Sequence, residues 1–354
     1  MERTSGSTLG AARVEDIRAR IDVVLADFLA QRRVALEEAH PVAAGLADEL
    51  VRVIDAGGKR LRPLFCYWGF RAGGGGDREE IVRAAASLEL LHTFAIIHDD
   101  VMDRSARRRG QPATHVALAA GGDAHAGVSA AILAGDLALA LADELFCEAG
   151  FTPERFLAGF RWFNRMRTEV LAGQYLDLVA SRGPVPAEAT VRRIARLKSG
   201  GYTVEKPLLI GATLARSSRE IETTLAAFGA ALGEAFQLRD DVLGAFGDPE
   251  TTGKDADGDL REGKRTLLVT RALTSCTPQE REFLEEHLGR ADLGPADAEE
   301  MRGIVRASGA LSSTLATIDE LRAAAVATLE KEEVPTHVAA ALAELAELAA
   351  VRES

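Results

Sequence analysis

Apolar residues recur at i, i+3, i+4 and i+7 along most of the chain, as in Ile17, Ile21, Val24, Leu25 and Phe28, which is the period of an amphipathic helix. The same spacing predicts helices over Val14–Glu38, Pro41–Asp55, Leu61–Phe70, Ile81–Asp99, Gly127–Ala149 and Pro153–Val179. It continues over Ala187–Ala195, Tyr202–Ala215, Arg219–Gly244, Lys264–Leu273, Pro278–Leu288, Ala296–Ser308 and Leu311–Ala350. Strand signals are nearly absent. Turns rich in Gly, Pro or Asp fall at Gly73–Asp77, Gly121–Asp123, Ser181–Pro186 and Gly247–Gly258. None is long enough to be an interdomain linker, and no repeat of fixed period occurs. The expected organisation is one all-α domain over residues 12–354, with two acidic helix ends facing a common cavity, preceded by a disordered segment over residues 1–11.

Composition narrows this picture. Apolar residues make up 47% of the 354 positions and charged residues 27%, the balance of a soluble protein with a substantial core. Abundant alanine with only 5% aromatics favours helices over sheet. A net charge of −12 argues against nucleic acid or an anionic membrane as the partner. Cys66, Cys147 and Cys276 are scattered without metal or disulfide spacing, and are expected to be small buried residues in a reducing, cytoplasmic protein. The first residues hold no apolar signal-peptide core, and no run of 18 uncharged apolar residues is present, so no transmembrane segment is expected.

Two places concentrate carboxylates at the ends of apolar helices. His98-Asp99-Asp100-Val101-Met102-Asp103 closes the apolar stretch Leu88–Ile97, and Asp99 and Asp103 are i, i+4 neighbours on one helix face. Like charges so placed cost a few tenths of a kcal/mol unless neutralised, and a hard divalent ion such as magnesium takes carboxylate oxygens together with substrate phosphate. Phe236-Gln237-Leu238-Arg239-Asp240-Asp241 ends a second apolar helix about 140 residues later. Either cluster alone reads equally well as a solvated acidic surface; the pair is harder to dismiss. Three basic elements accompany them. Gly57-Gly58-Lys59-Arg60-Leu61-Arg62-Pro63 is a glycine turn that presents cations. Arg107-Arg108-Arg109-Gly110 offers guanidinium forks suited to diphosphate oxygens, and Lys254 and Lys264 flank an acidic loop. Together they suit two diphosphates, one bridged by metal and one held by cations alone.

These motifs, in the order GGKRLRP, ELLH leading into DDVMD, RRGQP, KS, FQLRDD, GD, TGK and GKRT, resemble the trans-isoprenyl diphosphate synthases of the polyprenyl synthetase family from about Gly57 to Thr266. The resemblance implies an all-helical fold of ten or more helices around a deep cavity, a homodimer, and about three magnesium ions per site. It implies metal ligation by Asp99, Asp103 and Asp240, with Asp100 and Asp241 turned toward metal or its water. Arg108, Lys198, Gln237 and Lys254 are similar to residues that hold an allylic diphosphate, and Lys59, Arg62, His92 and Arg109 to those that hold isopentenyl diphosphate without metal. No function is carried onto Arg60 or Arg107, and His98 is expected to be structural or supporting.

The implied reaction is condensation of isopentenyl diphosphate with an allylic diphosphate. Metal and cations stabilise the departing diphosphate, and that diphosphate rather than a protein base takes the final proton. Two features depart from the family pattern: Gly244 stands where many relatives carry a third carboxylate, and Lys198 is followed by Ser199 rather than threonine. Phe94 and the small Ala95, the fifth and fourth residues before Asp99, resemble the pocket floor of geranylgeranyl producers, with a farnesyl product the alternative and Phe94 as ordinary core packing the bland reading. A class I terpene cyclase would not need GGKRLRP or the RRG pair. A non-catalytic partner subunit would be expected to have lost one of these clusters.

Overall fold

The computed structural model describes residues 4–119, 122–181, 183–247, 257–330 and 333–350. Helices dominate, as the 3.6-residue period predicts. In order they are α1 (Thr4–Ala39), a 3-10 turn (Pro41–Ala43), α2 (Ala44–Asp55), α3 (Leu61–Ala72), α4 (Glu79–Asp103), α5 (Thr114–Ala119) and α6 (Ala124–Cys147). Then follow α7 (Pro153–Ala180), α8 (Glu188–Ala195), a π-helical segment (Arg196–Glu205), α9 (Lys206–Ala215) and α10 (Arg219–Phe246). The chain ends with α11 (Gly258–Arg261), α12 (Leu267–Ser275), α13 (Pro278–His287), α14 (Pro295–Ala307), α15 (Ala310–Thr328) and α16 (Thr336–Ala350).

α1 begins at Thr4. Several expectations need correction. Residues 196–201, which fall between two of the expected helices, continue the helical path as a π segment. Leu311–Ala350, read as one helix, divides into α15 and α16; Pro335 just before Thr336 lacks an N–H and pushes its predecessor out of the α region. A two-residue ladder, Arg107–Arg108 with Gln111–Pro112, forms a hairpin where no strand was expected. Cys66 is buried as expected, but Cys147 is exposed and Cys276 intermediate.

The chain forms two compact units. The first comprises residues 1–160, 207–218 and 336–344; the second comprises 161–206, 219–335 and 345–354. In the first, Ile21, Leu25, Leu64, Phe65, Tyr67, Trp68 and Phe146 are almost wholly buried. α4 is the one helix among the described residues that is long and apolar enough to cross a membrane, and 72% of its apolar window is buried inside the protein. In the second unit, Leu260, Leu268, Leu273, Leu284, Met301 and Val305 form one core cluster, and Val191, Ala235, Leu238, Val242, Leu267 and Ile318 another.

Glycine sets how closely helices approach. α3 and α9 meet backbone to backbone, since a Cβ on Gly211 would lie 1.9 Å from the Cys66 carbonyl oxygen and one on Gly69 2.2 Å from that of Leu208. In the second unit the π segment lies against α10 through Gly200 and Gly233, where a Cβ on either would fall 2.5 Å or less from the other's carbonyl group. Gly211→Ala should therefore lower stability although alanine is the better helix former by about 1 kcal/mol. Overpacking of about 1–3 kcal/mol should appear as a lower midpoint in thermal unfolding, whereas a raised midpoint would mean the crossing relaxes freely.

Candidate active site

The helix α4 continues through Asp103, so Asp99 and Asp103 do share a face one turn apart, and Arg104 ends the helix in the left-handed region with φ 55°. Carboxylates here meet the negative end of the helix dipole, and the last turn contains no basic residue. Asp100 takes another direction. Its side chain is 3% exposed and accepts hydrogen bonds from Arg108 Nε at 2.9 Å and a terminal nitrogen at 2.5 Å. The second carboxylate of the motif therefore orients a guanidinium. Arg108 also lies 3.5 Å from Asp99, so one arginine serves two carboxylates of the cluster. Burial nonetheless raises the Asp100 carboxyl above its ordinary range, with Arg108 opposing the shift.

Arg108 and Arg109 are presented by the short hairpin. Its turn residues Arg109 and Gly110 have φ 49° and 73°, the paired positive values of a type I′ turn. A non-glycine residue held there is strained, as often found at functional sites. Arg109 reaches back to donate to the Gly57 carbonyl. In the GGKRLRP loop Gly57 has φ 96°, and Arg60 enters α3 with φ 51°. Arg60 is 6% exposed and donates to Asp22 at 2.8 Å, Glu89 at 2.9 Å and the Ile54 carbonyl at 3.0 Å. It fastens the loop to α1, α2 and α4, a role the sequence reading did not give it.

Within this frame Arg60, Arg62, Arg108 and Arg109 all act on His92. Burial, then Arg62, Arg109, Arg108 and Arg60 in that order, hold the imidazole well below its ordinary 6.5. His92 is thus neutral near pH 7 and can donate a hydrogen bond without adding charge. Burial, opposed by Glu89 and assisted by Arg60, Arg108 and Arg62, likewise lowers the Arg109 guanidinium. An anion relieves such crowding of positive charge. Lys59, half-buried, stands in the same loop.

The second unit carries the other acidic cluster. Gln237 donates to Asp241 at 2.6 Å, so it supports the carboxylate. Burial, then Asp259, Asp240 and Asp177 as like charges, push the Asp241 carboxyl up to about 8, with the Gln237 hydrogen bond opposing. Lys198 in the π segment donates to Asp177 at 2.7 Å, and α7 approaches closely enough that a Cβ on Gly173 would meet the Lys198 nitrogen at 2.4 Å. Asp177 and Asp259 were missed in the sequence. Lys254 lies outside the described residues.

Phe94 is 5% exposed, with its ring edge-on to His98 at 4.8 Å, and Ala95 is half-buried. His98 Nε2 lies 3.2 Å from the Ile132 carbonyl oxygen, over Gly135, where any Cβ would strike the ring. That is a structural place. A cavity of about 580 Å³ in the second unit, lined by Arg192, Arg193, Arg196 and Lys206 among others, contains none of the expected site residues.

The donor set suits a hard divalent ion. Asp99 with Asp103, and Asp240 with its carboxylate neighbours, offer oxygen only. Among the described residues no three His, Cys, Asp or Glu side chains make a ready-formed metal group, and magnesium uses one or two carboxylates with substrate phosphates completing its shell. The raised Asp241 carboxyl, buried first and crowded second, gives a direct test. The folded state holds this proton more tightly than an unfolded aspartate at 3.8, so its contribution to stability falls as pH rises from about 4 to about 8. Asp241→Asn should raise the metal-free unfolding midpoint by about 2–4 °C at pH 8 and much less at pH 5; an equal change at both pH values would contradict this.

A family model described as polyprenyl synthetase matches residues 44–305. A geranylfarnesyl diphosphate synthase from Aeropyrum pernix is 39% identical over 64% of this chain and 70% of its own length. A geranylgeranyl diphosphate synthase from Saccharolobus solfataricus is 34% identical over 74% and 76%. Among solved structures, a geranylgeranyl pyrophosphate synthase from Corynebacterium glutamicum, complexed with isoprenyl diphosphate and magnesium, superposes with a TM-score of 0.89 at 35% identity, covering 96% of this chain and 98% of that one. The helical architecture, the two aspartate-rich helices and these matches establish that the chain belongs to the polyprenyl synthetase family.

Proposed function

We propose that the protein condenses isopentenyl diphosphate with an allylic diphosphate to give a short-chain product, geranylgeranyl diphosphate. The cationic cluster around neutral His92 carries this reading, because cyclisation of a single diphosphate needs no second anion site. Relatives named for geranylgeranyl and geranylfarnesyl products support the chain length, as does the buried Phe94 beside small Ala95.

The residue roles follow from charge. Asp99, Asp103 and Asp240 hold magnesium, as the oxygen donor set favours, and the magnesium in the Corynebacterium complex supports the choice of ion. When bound, the metal supplies Lewis-acid stabilisation of the leaving diphosphate. Arg108, kept in place by Asp100, and Lys198, kept in place by Asp177, offer charge-assisted hydrogen bonds to the allylic diphosphate. Gln237 and Lys254 complete that group. Lys59, Arg62, His92 and Arg109 orient isopentenyl diphosphate. The allylic C–O bond breaks with its electrons going to diphosphate, the isopentenyl double bond forms the new C–C bond, and the released diphosphate takes the proton lost. The protein works as a homodimer in the cytoplasm.

Purified protein with magnesium, isopentenyl diphosphate and farnesyl, geranyl or dimethylallyl diphosphate should yield geranylgeranyl diphosphate by chromatography of the products. Absence of elongation from every primer would refute the reading. Phe94→Ala should lengthen the product while costing about 3–5 kcal/mol of stability; an unchanged product would remove Phe94 from the pocket floor.

A further inference from the structure

The cavity of about 580 Å³ in the second unit has a charge pattern of its own. One wall is a basic stripe. Ala189, Arg192, Arg193 and Arg196 stand at i, i+3, i+4 and i+7, so α8 turns three guanidinium groups to one face as it runs into the π segment. Like charges so spaced destabilise one another unless something neutralises them. Lys198, two residues further on, is not in this wall; it donates to Asp177.

The carboxylates in the wall are already taken. Glu169 accepts from Arg165 at 2.8 Å and lies 3.1 Å from Lys206 Nζ. Lys206 is 5% exposed and also donates to Glu205 at 2.9 Å. Glu234 accepts from Arg192. Among the described residues five cations therefore line the cavity with three glutamates, each of which has its cation. Arg193 and Arg196 are left over: both are exposed, and neither has a hydrogen bond or an ion pair among the described residues. In a chain of net charge −12 this is a local reversal of sign.

We propose that this cavity is a separate anion site that holds free inorganic diphosphate on Arg193 and Arg196, away from the positions where substrates react. Guanidinium forks match phosphate oxygens in pairs, and the volume lies within the range of small-molecule sites. The wall also selects the kind of diphosphate. Apart from Ala189, Leu197 and Gly201, every described lining residue is charged, so a prenyl tail finds no apolar surface to enter. Inorganic diphosphate is released in each condensation of the proposed reaction. That source of the ligand rests on the synthase reading, whereas the binding itself does not.

Calorimetric titration of inorganic diphosphate into the full-length protein, with a chelator in excess, tests this site. The combined variant Arg193→Gln, Arg196→Gln should lose one diphosphate per chain, or bind it at least about 10-fold more weakly. Both side chains are exposed and unpaired, and glutamine suits a helix, so the unfolding midpoint and the elongation rate without added diphosphate should not change. Arg109→Gln, in the other cationic cluster, should keep the diphosphate that the double variant loses. Equal binding by wild type and double variant, or loss of all binding in Arg109→Gln, would overturn the proposal. Geranyl diphosphate under the same conditions should bind wild type and double variant alike. A loss as large as that for inorganic diphosphate would give the cavity to prenyl esters and overturn the choice of ligand. Absence of elongation from a protein whose cavity still binds diphosphate would strike the synthase reading and leave this site standing.

Discussion

Repulsion among aspartates is the constraint on which this site depends. On α4, Asp99, Asp100 and Asp103 are gathered where the helix dipole is already negative and no basic residue stands in the last turn. On α10, burial, with Asp259, Asp240 and Asp177 adding to it, raises the Asp241 carboxyl until it keeps a proton near neutral pH. Neither arrangement is favourable in itself. Both are sustained because the bodies of the two helices are buried, from Ile81 to Ile97 in one and Leu225 to Leu238 in the other. Apolar burial holds the carboxylates in place, and a divalent ion with substrate phosphate turns the repulsion into binding energy.

The GGKRLRP loop and the hairpin have the opposite sign. Their cations are brought together by backbone that ordinary residues avoid, with positive φ at Gly57, Arg60, Arg109 and Gly110. Arg60 holds this strain by bonding Asp22, Glu89 and the Ile54 carbonyl. The neutral His92 lets four arginines approach without a fifth charge. The proposed function accordingly has anions held in two different ways, through metal at aspartates and directly at guanidinium groups. Elongation needs that difference, since one diphosphate must leave while the other stays.

Much of this was legible in the sequence because the relevant faces are buried. The apolar period located α2, α4, α7 and α10 closely, and the acidic residues fell at the ends of two of them. What the sequence hid has physical reasons. The expected helices stop short of residues 196–201, yet Gly200 there lets α10 pack on a π segment that carries Lys198. The hairpin is two residues deep, too short for any alternation to register. Pro335 interrupts a pattern whose apolar period runs straight through it. Asp177 and Asp259 act on residues 21 and 18 positions away in sequence, as partners of Lys198 and Asp241, so no local spacing reveals them. Arg60 only adjoins matched residues in the sequence, while the fold uses it to anchor the loop.

Two diphosphates held by different physics are told apart by binding of isopentenyl diphosphate in the presence of a chelator. Calorimetry with metal removed should show isopentenyl diphosphate bound at an affinity that magnesium changes little, while an unreactive allylic diphosphate analogue binds only after magnesium is restored. Isopentenyl diphosphate that requires magnesium, or that competes with the allylic analogue for one shared site, would contradict the account.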